Sequence, residues 1–291
     1  MKNLPLPLLR TLAAFALLYA IAPCLGFAQG QDQTEAPYFH VGGAAAGYET
    51  MPLKSVSASI EIVGTLAQVE LVQTYANAGG RPIEATYVFP GSTRAAVSGM
   101  EMRVGDRLTR AIIQEKAQAR QTYEVAKREG KVASLLEQRR PNVFQMQLAN
   151  LLPGEVVEVT LRYSEWLERE ESEYEFTLPL VVGPRYGSGS EGWTENPHLG
   201  EDAAEPTSYD LSVTTRSPVA LESMTCASHD AEIVFADLNS ASARVEGDAR
   251  SVGNRDFVLR YRISGDEVKS GLLVSESNGE KYFLATIEPP K

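Results

Sequence analysis

Apolar and polar residues alternate along most of this chain with the two-residue period of half-buried β-strands. Val56, Ala58, Ile60 and Ile62 alternate with Ser55, Ser57, Ser59 and Glu61, and Gly64-Thr65 turns the chain. Val69, Leu71, Gln73 and Tyr75 line one face of the next predicted strand, which ends at the turn cluster Asn77-Ala78-Gly79-Gly80. Ile83, Ala85, Tyr87 and Phe89 make a third strand that Pro90-Gly91 stops. Met100, Met102 and Val104 make a fourth, and Gly105-Asp106 turns into the run Leu108 to Ile113.

The stretch from Gln114 changes period. Ala117, Tyr123 and Ala126 share one side of a helix, Glu124 and Arg128 form an i,i+4 pair, and Gly130 has the place of a C′ residue. A second helical piece is predicted over Val132 to Gln138, carrying Leu135 and Leu136. Strand alternation returns with Phe144, Met146 and Leu148, turns at Pro153-Gly154, and continues through Val157, Val159, Leu161 and Tyr163. Tyr174, Phe176 and Leu178 form a further strand.

Residues 183–207 are rich in Gly, Ser, Pro and acids, a length uncommon for a loop inside one compact domain, so they mark a boundary or a functional excursion. A second β-rich unit is expected over 208–268, with strands at Tyr209 to Val213, Ala231 to Phe235, Ala243 to Val245 and Phe257 to Tyr261. The chain closes on the apolar strand Tyr282 to Ile287 and on Glu288-Pro289-Pro290-Lys291. The expected class is mainly β: an antiparallel, sandwich-like first domain over 48–182 crossed by one α-helix, followed by the smaller β-rich unit.

Residues 1–28 read as an export signal. Lys2 and Arg10 supply the positive end, Leu12 to Ile21 the apolar run, and Gly26-Phe27-Ala28 the small residues before cleavage. The run is short for a membrane-spanning helix and Pro23 follows it, so no stable span is expected after cleavage. An exported location follows: periplasm, cell surface or exterior. Residues 29–47 are expected to be a flexible lead. The mature chain keeps one cysteine, Cys226, expected as a buried small hydrophobe with no disulfide partner.

The net charge is -11, and losing Lys2 and Arg10 with the signal leaves 25 bases against 38 acids, or -13. Such a surface disfavours nucleic acid as a partner. Against that background Arg103 to Arg140 holds ten bases (Arg103, Arg107, Arg110, Lys116, Arg120, Lys127, Arg128, Lys131, Arg139 and Arg140) against five acids. These ten are the candidate interaction surface, for an acidic protein or an acidic polysaccharide. The competing account, and the favoured one, is a solvated helix face whose arginine stems cover the sheet.

No catalytic pattern stands out. The P-loop and the G-x-S-x-G element are missing, and His40, His198 and His229 lack metal-ligand spacing. Asp210-Leu211-Ser212-Val213-Thr214 superficially matches a D-x-S-x-[ST] metal loop but alternates like a strand. Glu168, Glu170, Glu171, Glu173 and Glu175 read as a solvated acidic face. No metal or cofactor is expected.

One ordered set of short segments carries a resemblance. Tyr87-Val88-Phe89-Pro90, Glu115-Lys116-Ala117 with Tyr123 and Ala126, and Gly130 come first. Ser134-Leu135-Leu136-Glu137, Pro141-Asn142-Val143-Phe144, Asn150-Leu151-Leu152-Pro153-Gly154 and Tyr163 follow. In this order they resemble the vault protein inter-alpha-trypsin (VIT) domain over residues 48–180. That resemblance implies a following von Willebrand factor type A domain, as in inter-alpha-trypsin inhibitor heavy chains and bacterial exported relatives. Residues 269–291 are similar to the lead into such a domain, which this sequence does not itself contain. The function implied is a non-enzymatic, exported interaction or scaffolding module that docks a type A domain or a surface partner. The alternatives left open are a carbohydrate-binding or carbohydrate-active β-sandwich and a truncated fragment without independent activity.

Overall fold

A computed structural model of the chain describes residues 36–41, 51–111, 137–140, 143–170, 173–181, 207–263 and 267–290. The strands in chain order are β1 (Tyr38–Val41), β2 (Leu53–Val63), β3 (Leu66–Ala76), β4 (Ile83–Pro90), β5 (Ala95–Val104) and β6 (Arg107–Arg110). Then come β7 (Glu137–Arg140), β8 (Val143–Leu151), β9 (Val156–Trp166), β10 (Arg169–Glu170), β11 (Glu173–Leu178) and β12 (Ser208–Arg216). The last six are β13 (Ser223–Cys226), β14 (Glu232–Asp237), β15 (Ser240–Asp248), β16 (Phe257–Arg262), β17 (Lys269–Ser277) and β18 (Glu280–Glu288).

An eight-stranded sheet runs in the order β14-β15-β12-β2-β3-β9-β5-β6. Its strands form because each repeats an apolar residue at every second position. Ile60, Ile62, Val69, Leu71, Met100, Met102, Val157, Val159, Leu161, Leu211 and Val213 are all buried on one face. The other face is polar and laced with cross-strand ion pairs. Arg162 stands opposite Glu70 at 2.6 Å, and Arg216 reaches Glu61 at 2.9 Å.

Two four-stranded sheets, β1-β4-β8-β7 and β10-β11-β16-β13, contribute the remaining core. Their inward residues, among them Tyr87, Phe89, Met146, Phe176, Phe257, Leu259 and Tyr261, belong to the same buried cluster as the large sheet. Aromatic rings join the layers: Phe39 meets Tyr75 edge-on at 4.9 Å, and Phe89 lies 5.3 Å from Tyr163. Gln73 and two buried tyrosines satisfy one another inside this core. Tyr87 donates to Gln73 Oε1 at 2.6 Å and Tyr75 donates to the same oxygen at 3.2 Å.

Four expectations change. Tyr38–Val41 is a strand paired with β4, inside the stretch read as a flexible lead, because Phe39 buries its ring between Tyr75 and Tyr87. Glu137 and Gln138 are strand, not helix: β7 pairs with β8 at Gln145 and Phe144. Pairing is antiparallel throughout except that β12 lies parallel to β2, from Ser208 beside Ser55 to Arg216 beside Val63. That ladder, and the one joining β11 to β16, make 208–263 part of the first domain's own sheets and core. The expected separate second unit is therefore not separate. The helix over 114–131, the piece from Val132 to Leu136 and the boundary loop at 183–206 lie outside the described residues.

Candidate functional site

Strands β17 and β18 form a hairpin that pairs with no other described strand. Asn278 and Gly279 turn it with φ of 53° and 79°, the left-handed pair that a two-residue I′ turn requires. Residues directly opposite share a face, so Ser270, Leu272 and Val274 stand beside Ile287, Ala285 and Phe283. That face is apolar and bare: Leu272, Val274, Phe283 and Ile287 are 58, 65, 75 and 76% exposed.

The opposite face seats the hairpin on the body. Leu284 and Pro218 lie over Gly64 in the β2–β3 turn, where φ of 61° calls for glycine. Gly271 passes so close to Pro218 that an added Cβ would fall 1.8 Å from its carbonyl oxygen, so no larger residue fits. Lys269 Nζ reaches Glu222 at 2.6 Å.

The end of β18 is held differently. Glu288 is only 2% exposed, although it is the last residue of the last strand. Arg169 Nη1 lies 3.3 Å from its carboxylate, and the Tyr174 hydroxyl donates to both oxygens at 3.1 and 3.2 Å. Arg169 and Tyr174 are direct partners across β10–β11, which points both at the same carboxylate.

Burial, and then the Glu288 charge and its hydrogen bond, push the Tyr174 phenol up to about 12, against the opposing pull of Arg169. An unfolded tyrosine titrates near about 10. The neutral phenol is the form the fold prefers, so its stabilising share is complete below pH 10 and lost as pH rises through 12. The phenolate absorbance titration of the protein, minus that of Tyr174→Phe, is expected to show a tyrosine ionising in that alkaline window. A difference curve centred at the ordinary tyrosine value would contradict it.

The candidate basic surface divides. Arg103 lies 3.8 Å from Glu158, Arg107 3.1 Å from Glu155 in the β8–β9 turn and Arg110 2.9 Å from Glu101, so each of these three already faces a carboxylate. Exposed pairs of this kind add little stability, but they leave little free positive charge for an acidic ligand. Arg139 and Arg140 fall on β7, whose side chains are not described, and Lys116, Arg120, Lys127, Arg128 and Lys131 lie outside the described residues.

The remaining candidates take structural places. Asp210 is an exposed strand residue paired with Arg244 at 3.3 Å, as its alternation predicts. Glu173 and Glu175 pair with Arg262 and Arg260. Cys226 is half-buried rather than buried, because β13 is an edge strand, and its thiol sits 3.5 Å from Ser228 Oγ. His40 is exposed, His198 is outside the described residues, and His229 is half-buried, its ring nitrogens 2.8 Å from Ser228 Oγ and 3.0 Å from the Val252 carbonyl. Among the described residues no three His, Cys, Asp or Glu converge as a metal site.

Sequence reading missed the hairpin's first strand and the Glu288 anchor. The Asn278-Gly279 pair flanked by Leu272-Leu273-Val274 and Tyr282-Phe283-Leu284 was the available signal for the first. Nothing local signals the second, whose hydroxyl partner is 114 residues away.

Comparison with known proteins bears on this body. The vault protein inter-alpha-trypsin domain model matches residues 53–163. The chain is 37% identical over 150 residues to the von Willebrand factor A domain-containing protein 5A of Mus musculus, covering 50% of this chain and 19% of that protein. It is 30% identical over 222 residues to the protein mono-ADP-ribosyltransferase PARP4 of Mus musculus, covering 75% of this chain and 11% of that protein. The chain thus matches less than one fifth of either relative's length. A match over 75% of 291 residues, about 218, takes in β12 wherever it begins, so this similarity continues past the family model. Among solved structures, an M1 zinc metallopeptidase from Deinococcus radiodurans aligns with 83% of this chain and 48% of its own at 10% identity and a TM-score of 0.38, too slight a likeness to carry an argument. The ordered motifs and the family match agree: residues 53–163 of this chain are a vault protein inter-alpha-trypsin domain.

Proposed function

We propose that this chain is a non-enzymatic interaction module, exported by its N-terminal signal, whose β17–β18 hairpin docks a von Willebrand type A domain. The observation that carries the reading is the bare apolar face of Leu272, Val274, Phe283 and Ile287, on an arm seated by its other face. The relative named for its von Willebrand factor A domain supports the choice of partner.

A second exposed apolar edge, β14, makes a useful contrast. Val234, Phe235 and Leu238 are exposed there too, but Glu232 and Asp237 flank the strand and its register slips between Phe235 and Asp237. Acidic ends and a bulge are the devices that keep an edge from pairing. The hairpin has an unbroken register of nine pairs and no such bulge.

Limited proteolysis of the exported chain with mass spectrometry tests both parts of the proposal. The mature mass is expected to begin at Gln29, and adding a type A domain from a relative is expected to protect residues 269–288 from cleavage. A retained leader would sink the export reading, and cleavage indifferent to the added domain would sink the docking.

A further inference from the structure

We infer that Glu288, Arg169 and Tyr174 are the positioning residues of the hairpin, fixing the direction in which its apolar face points. A closed ring of contacts carries the inference. Glu288 accepts from Tyr174, and the Tyr174 ring stacks on Tyr261 with centroids 5.5 Å apart. Tyr261 donates to the Gly64 carbonyl at 2.7 Å, and Gly64 is covered by Leu284, four residues before Glu288 on the same strand. The arm is thus gripped at two points of β18, and both grips end on the β2–β3 turn.

A two-stranded hairpin is marginal by itself, and no backbone ladder joins this one to another described strand. Leu284 and Gly271 supply apolar and steric contact, which resists lifting but resists rotation poorly. The Lys269–Glu222 pair is partly solvated and contributes little. Glu288 is different. A buried carboxylate deprived of its cation is strongly disfavoured, and one shifted by a strand position would lose Arg169 and Tyr174 together. Only one placement of the end of β18 satisfies the charge, so the latch behaves as all-or-none.

The role rests on the docking reading only for its purpose; the positioning itself is tested without a partner. Amide hydrogen exchange of the full chain is compared among wild type, Glu288→Gln, Tyr174→Phe and the control Lys269→Met. Glu288→Gln is expected to speed exchange in Lys269–Ser277 and Glu280–Glu288 by roughly tenfold or more, with β3 and β9 unchanged. Tyr174→Phe, which leaves Arg169 in place, should give a smaller increase, and Lys269→Met almost none. Hairpin exchange equal to wild type in Glu288→Gln overturns the inference. So does an equal acceleration in β3 and β9, which would make Glu288 a general stability residue. If the hairpin loosens as expected while the wild type ignores a type A domain, the positioning role stands and the docking falls.

Discussion

A chain of residues 36–181 alone is expected to lose cooperative unfolding, although it contains the whole family match at 53–163. The reason is the parallel insertion of β12 beside β2. Removing everything after 181 strips β2 of a nine-residue ladder and leaves β11 with only the two-residue β10 as neighbour. It also removes Tyr209, Leu211, Val213, Phe257, Leu259 and Tyr261 from the buried cluster. At about 1.5–3 kcal/mol for each buried apolar side chain, that loss matches or exceeds the roughly 5–15 kcal/mol by which a domain is stable. The bared β2 edge would then template association. Calorimetry and near-ultraviolet circular dichroism of the fragment decide the matter: a sharp, reversible transition would show that residues 36–181 fold without β12 and β16.

The second large effect concerns the hairpin face, where Phe283→Ser with Ile287→Ser is expected to leave folding intact and remove binding. Phe283 and Ile287 already face water, so their truncation costs the fold little: within about 0.5 kcal/mol for surface positions of this kind. Across an interface the same two side chains would be central apolar anchors. Losing anchors of that kind costs about 2 kcal/mol or more each, which is a fall in affinity of roughly thirtyfold per side chain. The variant should also be more soluble at high concentration, because an exposed apolar patch of this size promotes self-association. A drop in melting temperature comparable to that of a core substitution would instead place these residues inside the fold's own core.

Much of the large sheet was legible in the sequence because period-2 alternation is a local signal. The burial of Val69, Leu71, Gln73 and Tyr75 on β3, and of Val157 to Tyr163 on β9, follows it residue by residue. What stayed hidden was non-local. Ser55 and Ser208 are neighbours in the parallel ladder, yet 153 positions of sequence separate them and the stretch between includes the Gly/Ser/acid-rich loop that looks like a boundary. Strand β1 was too short for a period to show inside a Gly/Ala-rich lead. The site followed the same rule. Asn278-Gly279 advertised a hairpin, whereas the burial of Glu288 depends on Arg169 and Tyr174 arriving from another sheet. The ten-base stretch looked like a surface in one dimension; in three, Arg103, Arg107 and Arg110 already have carboxylates opposite them.

The most direct test of the docking hairpin is titration calorimetry of the full chain with the type A domain of a von Willebrand factor A domain-containing relative, wild type beside Phe283→Ser/Ile287→Ser. The expected result is saturable binding by the wild type, with the negative heat-capacity change of apolar burial, and loss of both in the variant. Equal affinity for the two chains, or no binding by the wild type, would contradict the account.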